Sequence, residues 1–125
     1  MAVVKSNAYG HGMAQYAKAL NLQGADWFGV DDINEALELR KSDIKKPILV
    51  LGFTPIDAFP IAAKHNISIT ISNHSAFNSL EKYKGAGQIR FHIKVDTGLH
   101  RQGFLEFVIY YIYDKKRNRH SYSLV

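Results

Sequence analysis

At 125 residues with 46% hydrophobic side chains, the chain holds one domain or part of one, and its apolar content argues against disorder throughout, since a domain of ~150 residues hides roughly two-thirds of its unfolded surface. The absence of cysteine removes disulfides, thiolate metal sites and a cysteine nucleophile, and leaves the cytoplasm as the default compartment. The net charge of +5 sits mostly in residues 114–125, where Lys115, Lys116, Arg117 and Arg119 face Asp114 alone, so it describes a solvated tail rather than a nucleic-acid surface.

Met-Ala-Val-Val-Lys-Ser-Asn at the start carries no charged leader followed by a sustained apolar segment, and no window approaches ~18 uninterrupted apolar residues. Neither export nor a membrane partner is signalled. A first strand is expected over 2–5, followed by a turn with two glycines. Met13, Tyr16, Ala17 and Leu20 then form one stripe of a helix over 13–22. A strand over 27–30 leads to a helix over 33–40, with Ile33, Ala36, Leu37 and Arg40 on one face and Asp31 or Asp32 as its N-cap. After a strand over 48–51, Thr54 as N-cap and Pro55 at N1 open a third helix. A strand over 67–71 precedes a fourth helix, introduced by Asn73 or His74, and a fifth strand follows over 90–95. The strands recur about every 20 residues, the spacing of βα units.

Five such units without a hydrophobic hairpin favour an α/β fold, part of a TIM-type barrel, over an antiparallel one, with a doubly wound open sheet as the alternative. Five strands do not close an eight-stranded barrel, so the tail, another chain or a different topology must cover the outer edges.

Two segments carry chemistry. In Val3-Val4-Lys5-Ser6-Asn7-Ala8-Tyr9-Gly10-His11-Gly12 a strand delivers Lys5 at its C-terminal end, where barrel enzymes place reactive groups. A lysine amine can form a Schiff base with an aldehyde cofactor, and the Tyr9 hydroxyl can meet a phosphate. Taken alone, Lys5 reads more readily as a solvated strand end. In the second segment, residues 91–104, Lys94 lies inside an apolar run, where an ammonium needs an anionic partner or neutralisation, and Arg101 offers a planar fork for a carboxylate. The plainer reading has Lys94 snorkelling, Asp96 capping locally and Arg101 solvated. The histidines are dispersed without a zinc-ligand pattern, so no metal is expected. Trp27, Phe28, Phe53 and Phe59 read as core or interface, and no nucleic-acid partner is expected.

Both segments resemble the two signature stretches of the alanine racemase family, in order and separation. Ala25-Asp26-Trp27-Phe28-Gly29-Val30 and Pro47-Ile48-Leu49-Val50-Leu51-Gly52 are similar to the family's intervening strands. The resemblance implies a partial N-terminal barrel of about five βα units over 1–104, with the C-terminal β domain absent. It ends at a divergent aromatic and basic tail over 105–125, for which truncation or a frameshift is the expectation and a natural helix followed by a flexible tail the alternative. It further implies that Lys5 holds pyridoxal 5'-phosphate as a Schiff base and moves a proton at the substrate α-carbon, that Tyr9 approaches the cofactor phosphate, and that Asn7, Gly10, His11 and Gly12 shape the loop. By the same resemblance Lys94 is carbamylated and orients Arg101, which lies near the cofactor's phenolic oxygen and the substrate carboxylate.

The implied reaction interconverts L-alanine and D-alanine, supplying D-alanine for peptidoglycan in the cytoplasm, with serine as another substrate of the lineage. The family's second base is a tyrosine of the C-terminal β domain, acting across a homodimer, and Tyr110, Tyr111 and Tyr113 do not match its surroundings. The expectation is therefore a racemase incomplete as it stands and inactive alone, with a noncatalytic remnant or pyridoxal-phosphate-binding module as the alternative.

Overall fold

The computed structural model describes residues 1–83, 85 and 87–105. Apart from Leu105, the aromatic and basic tail lies outside the described residues. Five strands, β1 Ala2–Val3, β2 Phe28–Val30, β3 Ile48–Val50, β4 Ile67–Ile71 and β5 Arg90–Ile93, alternate with helices α1 Met13–Leu22, α2 Ile33–Lys41, α3 Phe59–Lys64 and α4 His74–Lys82. Lys5, Leu51 and Lys94, expected inside strands, lie just beyond them. The chain leaves the ladder there to enter the loops.

Capping decides the helix starts. Asp32 accepts from the Asn34 and Glu35 amides at 2.7 and 3.1 Å, and Asn73 from the Ala76 amide at 2.8 Å, each in extended backbone as an N-cap requires. Asp31 and His74 are thereby excluded from that role. Thr54 does not cap. Its hydroxyl is buried without a hydrogen-bond partner among the described residues, and a 3₁₀ turn, Ile56–Ala58, begins after Pro55 and runs straight into α3.

All pairings are parallel, and the sheet order is β1-β2-β3-β4-β5. A doubly wound sheet reverses its order at a switch point, whereas sequential parallel order is that of a barrel wall. The fold is therefore α/β, a partial TIM-type barrel, and the doubly wound alternative is excluded. At the far edge of β5, Phe104 bridges Val95 in parallel sense, its amide donating to the Lys94 carbonyl at 2.8 Å while its carbonyl accepts from Asp96 at 2.9 Å.

Because side chains alternate along a strand, Phe28, Val30, Ile48, Val50, Ile69 and Phe91 join one buried cluster with Met13 and Ala17 of α1, Ala36 and Leu39 of α2, Phe59 and Ala62 of α3, and Phe77 and Leu80 of α4. The other face, towards the barrel axis, carries Val3, Leu49, Thr70 and His92, which line a cavity. No helix among the described residues is long and apolar enough to cross a membrane.

Candidate active site

Strand register brings the site together. Val3 pairs with Gly29, Gly29 with Leu49, Leu49 with Ser68, and Thr70 with His92. Carried two residues further, one rung runs Lys5, Asp31, Leu51, Thr70, His92 across the C-terminal ends of the five strands, with Lys94 one step beyond. All six border a cavity of about 670 Å³, together with Tyr9 and Arg101. The residues singled out in two distant segments, Lys5 and Tyr9 in one, Lys94 and Arg101 in the other, thus meet around one recess.

Lys5 opens a single left-handed helical turn, Lys5–Tyr9, in which Ser6, Asn7 and Ala8 have φ of 52–54° and ψ of 43–51°, and Tyr9 has φ 53°. None is glycine, so the conformation costs about 1–2 kcal/mol per residue. Local bonds offset it. The Ala8 amide donates to the Val4 carbonyl at 2.9 Å, and those of Gly10 and Gly12 to the Asn7 carbonyl at 3.1 Å. The Asn7 side chain accepts from the Met13 amide at 2.8 Å, serving the first turn of α1, and Ala8 is fully buried. The turn leaves the Tyr9 ring 63% exposed at the cavity mouth.

Lys5 Nζ lies 3.1 Å from Asp31 Oδ1, with 37% and 55% of the two side chains exposed. Glu35 on α2 braces both strand ends, one carboxylate oxygen accepting from the Ser6 amide at 2.6 Å and the other from the Asp31 amide at 2.7 Å. Arg101 stands in a loop built around Asp96, whose Oδ1 accepts from the Gly98 and His100 amides at 3.0 Å each. Those amide bonds hold the Asp96 carboxyl below the usual aspartate range. Gly103 closes the loop at φ 133°, where a Cβ would come within 2.6 Å of the Asp96 nitrogen. His92 meets the Trp27 ring edge-on at 5.4 Å, and burial pushes its pKa down, favouring the neutral imidazole.

Among the described residues the cavity thus presents Lys5, Lys94 and Arg101 against one carboxylate, Asp31, in a volume within the ~300–1,000 Å³ of small-molecule sites. Sequence reasoning missed Asp31 and Glu35 as members of the site. It considered Asp31 only as a helix cap, and the capping-box position of Glu35, three residues after Asp32, was the one local signal available.

Residues 1–115 match the family model for the alanine racemase N-terminal domain. The chain belongs to the alanine racemase family. It is 44% identical over 109 residues to alanine racemase 1 of Caldanaerobacter subterraneus, an alignment covering 86% of this chain and 28% of that protein. Among solved structures, the biosynthetic alanine racemase of Pseudomonas aeruginosa superposes with a TM-score of 0.88 at 27% identity, covering 98% of this chain and 34% of the other. A histidine racemase from Leuconostoc mesenteroides superposes at 0.82 with 35% identity, covering 91% and 32%. The chain therefore spans about a third or less of the length of these family members, and the part it matches is the barrel wall carrying this cavity.

Proposed function

We propose that the cavity binds pyridoxal 5'-phosphate through Lys5, and that the chain acts as the cofactor-holding part of an alanine racemase. The supporting observation is the convergence of Lys5, Tyr9, Lys94 and Arg101 on one recess at the C-terminal ends of parallel strands. The donor set fits the cofactor. A phenol and three cationic side chains suit a phosphate and a phenolate, and the volume admits a phosphorylated pyridine beside a small amino acid.

Pyridoxal phosphate, when bound, supplies an aldehyde for an amine and a ring that draws electrons from the substrate α-carbon. Lys5 is the amine that carries it. The Lys5 Nζ would also accept or return the α-proton on its own face of the substrate. Tyr9 donates its hydroxyl to the phosphate. Arg101 offers its fork to the substrate carboxylate and the phenolic oxygen, a task lysine performs poorly. Lys94 Nζ, by giving up its ammonium proton and adding to carbon dioxide with loss of a second, would become an anionic carbamate that pairs with Arg101, where two cations alone would repel.

Inverting the α-carbon requires proton transfer on opposite faces, and Lys5 serves one. The second base, the homodimer and the cytoplasmic supply of D-alanine for peptidoglycan are proposed for the assembly that completes the site. A binding module without turnover is the second reading.

The test is addition of pyridoxal phosphate to the folded chain. We expect visible absorbance that reductive trapping locates on Lys5 and that Lys5→Ala abolishes. A folded chain with no such band rejects the reading. Assays for D-alanine, D-serine and D-histidine then separate an enzyme from a module and identify the side chain accepted.

A further inference from the structure

Among the described residues Asp31 is the one carboxylate bordering the cavity, and its contact is with Lys5 Nζ at 3.1 Å. Adjacent, in-register parallel strands put the two side chains side by side on the inner face. Asp31 is held by two hydrogen bonds beside a close backbone approach. Glu35 accepts its amide proton at 2.7 Å, its carbonyl accepts from the Gly52 amide at 3.0 Å, and Gly52 lacks a Cβ that would otherwise sit 2.5 Å from that carbonyl oxygen. The other Glu35 oxygen holds Ser6, the residue after Lys5, at 2.6 Å. One carboxylate on α2 therefore sets the spacing of the two strand ends, and with it the ion pair. Asp32 takes the helix-capping duty, which leaves the Asp31 side chain for the cavity.

We infer that Asp31 is a positioning residue for Lys5: its carboxylate holds the amine in an ion pair aimed into the cavity, and Glu35 fixes Asp31 for that task. To attack an electrophile the Lys5 amine must leave that pair and give its proton to solvent, so the pair slows unselective reaction, whereas a ligand seated in the cavity meets the amine already in place. The inference rests on reading Lys5 as the reactive amine.

Competitive acetylation of the full chain at fixed neutral pH with limiting acetic anhydride, followed by peptide mass spectrometry, tests it without cofactor. Labelling of Lys5 is read relative to Lys64 in the same molecule. Asp31→Asn and Asp31→Ala are expected to raise the ratio about two- to fivefold, the effect of a partly exposed ion pair. Asp31→Glu, which keeps the charge and has open space to occupy, is expected to restore most of the protection. A purely structural role predicts the reverse, with the isosteric asparagine tolerated and glutamate not. That pattern, or an unchanged ratio in both Asp31→Asn and Asp31→Ala, overturns the inference.

The same variants are then treated with pyridoxal phosphate and cyanoborohydride, and the adducts mapped. A lower share of adduct on Lys5 in Asp31→Ala than in the parent supports positioning. Absence of any Lys5 adduct in the parent, with the acetylation pattern intact, overturns the cofactor reading and leaves the Asp31 assignment supported.

Discussion

Replacing Arg40 by methionine keeps most of an aliphatic stem and removes a guanidinium that ties three segments together at the N-terminal end of the sheet. Nε donates to the His65 carbonyl at 2.9 Å, Nη1 to those of Ile44 and Lys46 at 2.7 and 2.8 Å, and Nη2 to that of Asn66 at 2.8 Å. These carbonyls lie in the loops that enter β3 and β4. Hydrogen bonds from a charged donor contribute about 1.5–3 kcal/mol each. The Lys46 and Asn66 contacts are exposed, so water replaces the guanidinium there at little cost. The two half-buried contacts carry roughly 3–6 kcal/mol between them. Burial disfavours the charged guanidinium and lowers its pKa, and relief of that penalty brings the net loss to the lower end of this range. The expected net loss is about 3 kcal/mol, which at a urea slope of about 1.5 kcal/mol/M moves the midpoint down by roughly 2 M. Equilibrium urea unfolding followed by circular dichroism measures it. Because Arg40 lies at the end of the sheet opposite the cavity, the share of pyridoxal phosphate trapped on Lys5 in the folded protein stays at the parental level. A loss below about 0.5 kcal/mol, the scale of ordinary surface substitutions, refutes the argument, as does a selective drop in the adduct.

Glu35→Gln replaces one accepting oxygen with a donor that faces a backbone amide, so thermal or urea unfolding should show a loss of about 2 kcal/mol and faster hydrogen exchange at Ser6 or Asp31. Gly52→Ala puts a methyl 2.5 Å from the Asp31 carbonyl oxygen; a cost of about 1–3 kcal/mol is expected from the forced shift, accompanied by greater acetylation of Lys5. The Asp96 carboxyl is held below its ordinary range by loop amides, so its contribution is fully present above the unfolded-state pKa and lost as pH falls through the lower folded one. Amide protection at Gly98 and His100 should therefore survive down to the ordinary aspartate range, and its loss near pH 5 would contradict the geometry. Burial lowers the His92 pKa, so its ring resonances should titrate below the usual ~6.5; stability from the neutral ring is complete above that value and fades as pH falls through the folded midpoint.

Much of this protein was legible as local pattern. Short β-rich runs marked five strands, and 3.6-residue stripes marked the first two helices, because helical periodicity decides which side chains share a face. The extended N-caps at Asp32 and Asn73 were narrowed to two choices each, since a cap needs a short oxygen-bearing side chain at one place. Lys5, Tyr9, Lys94 and Arg101 stood out by sitting at strand ends or against the polarity of their surroundings. The left-handed turn after Lys5 gave little warning, because four consecutive non-glycine residues there oppose intrinsic preference and are held by local bonds and by Glu35.

The sequence by itself determined the βα rhythm, the family and the two segments that carry the chemistry. Tertiary structure alone decided the sequential order of the sheet, the meeting of those segments around one cavity, the release of Asp31 from capping to face Lys5, and the bracing of both by Glu35. Periodicity and capping act within a few residues along the chain. The Glu35 contact to Ser6 spans 29 positions and the Lys5 contact to Asp31 spans 26, and such contacts form only when parallel pairing fixes the register of neighbouring strands.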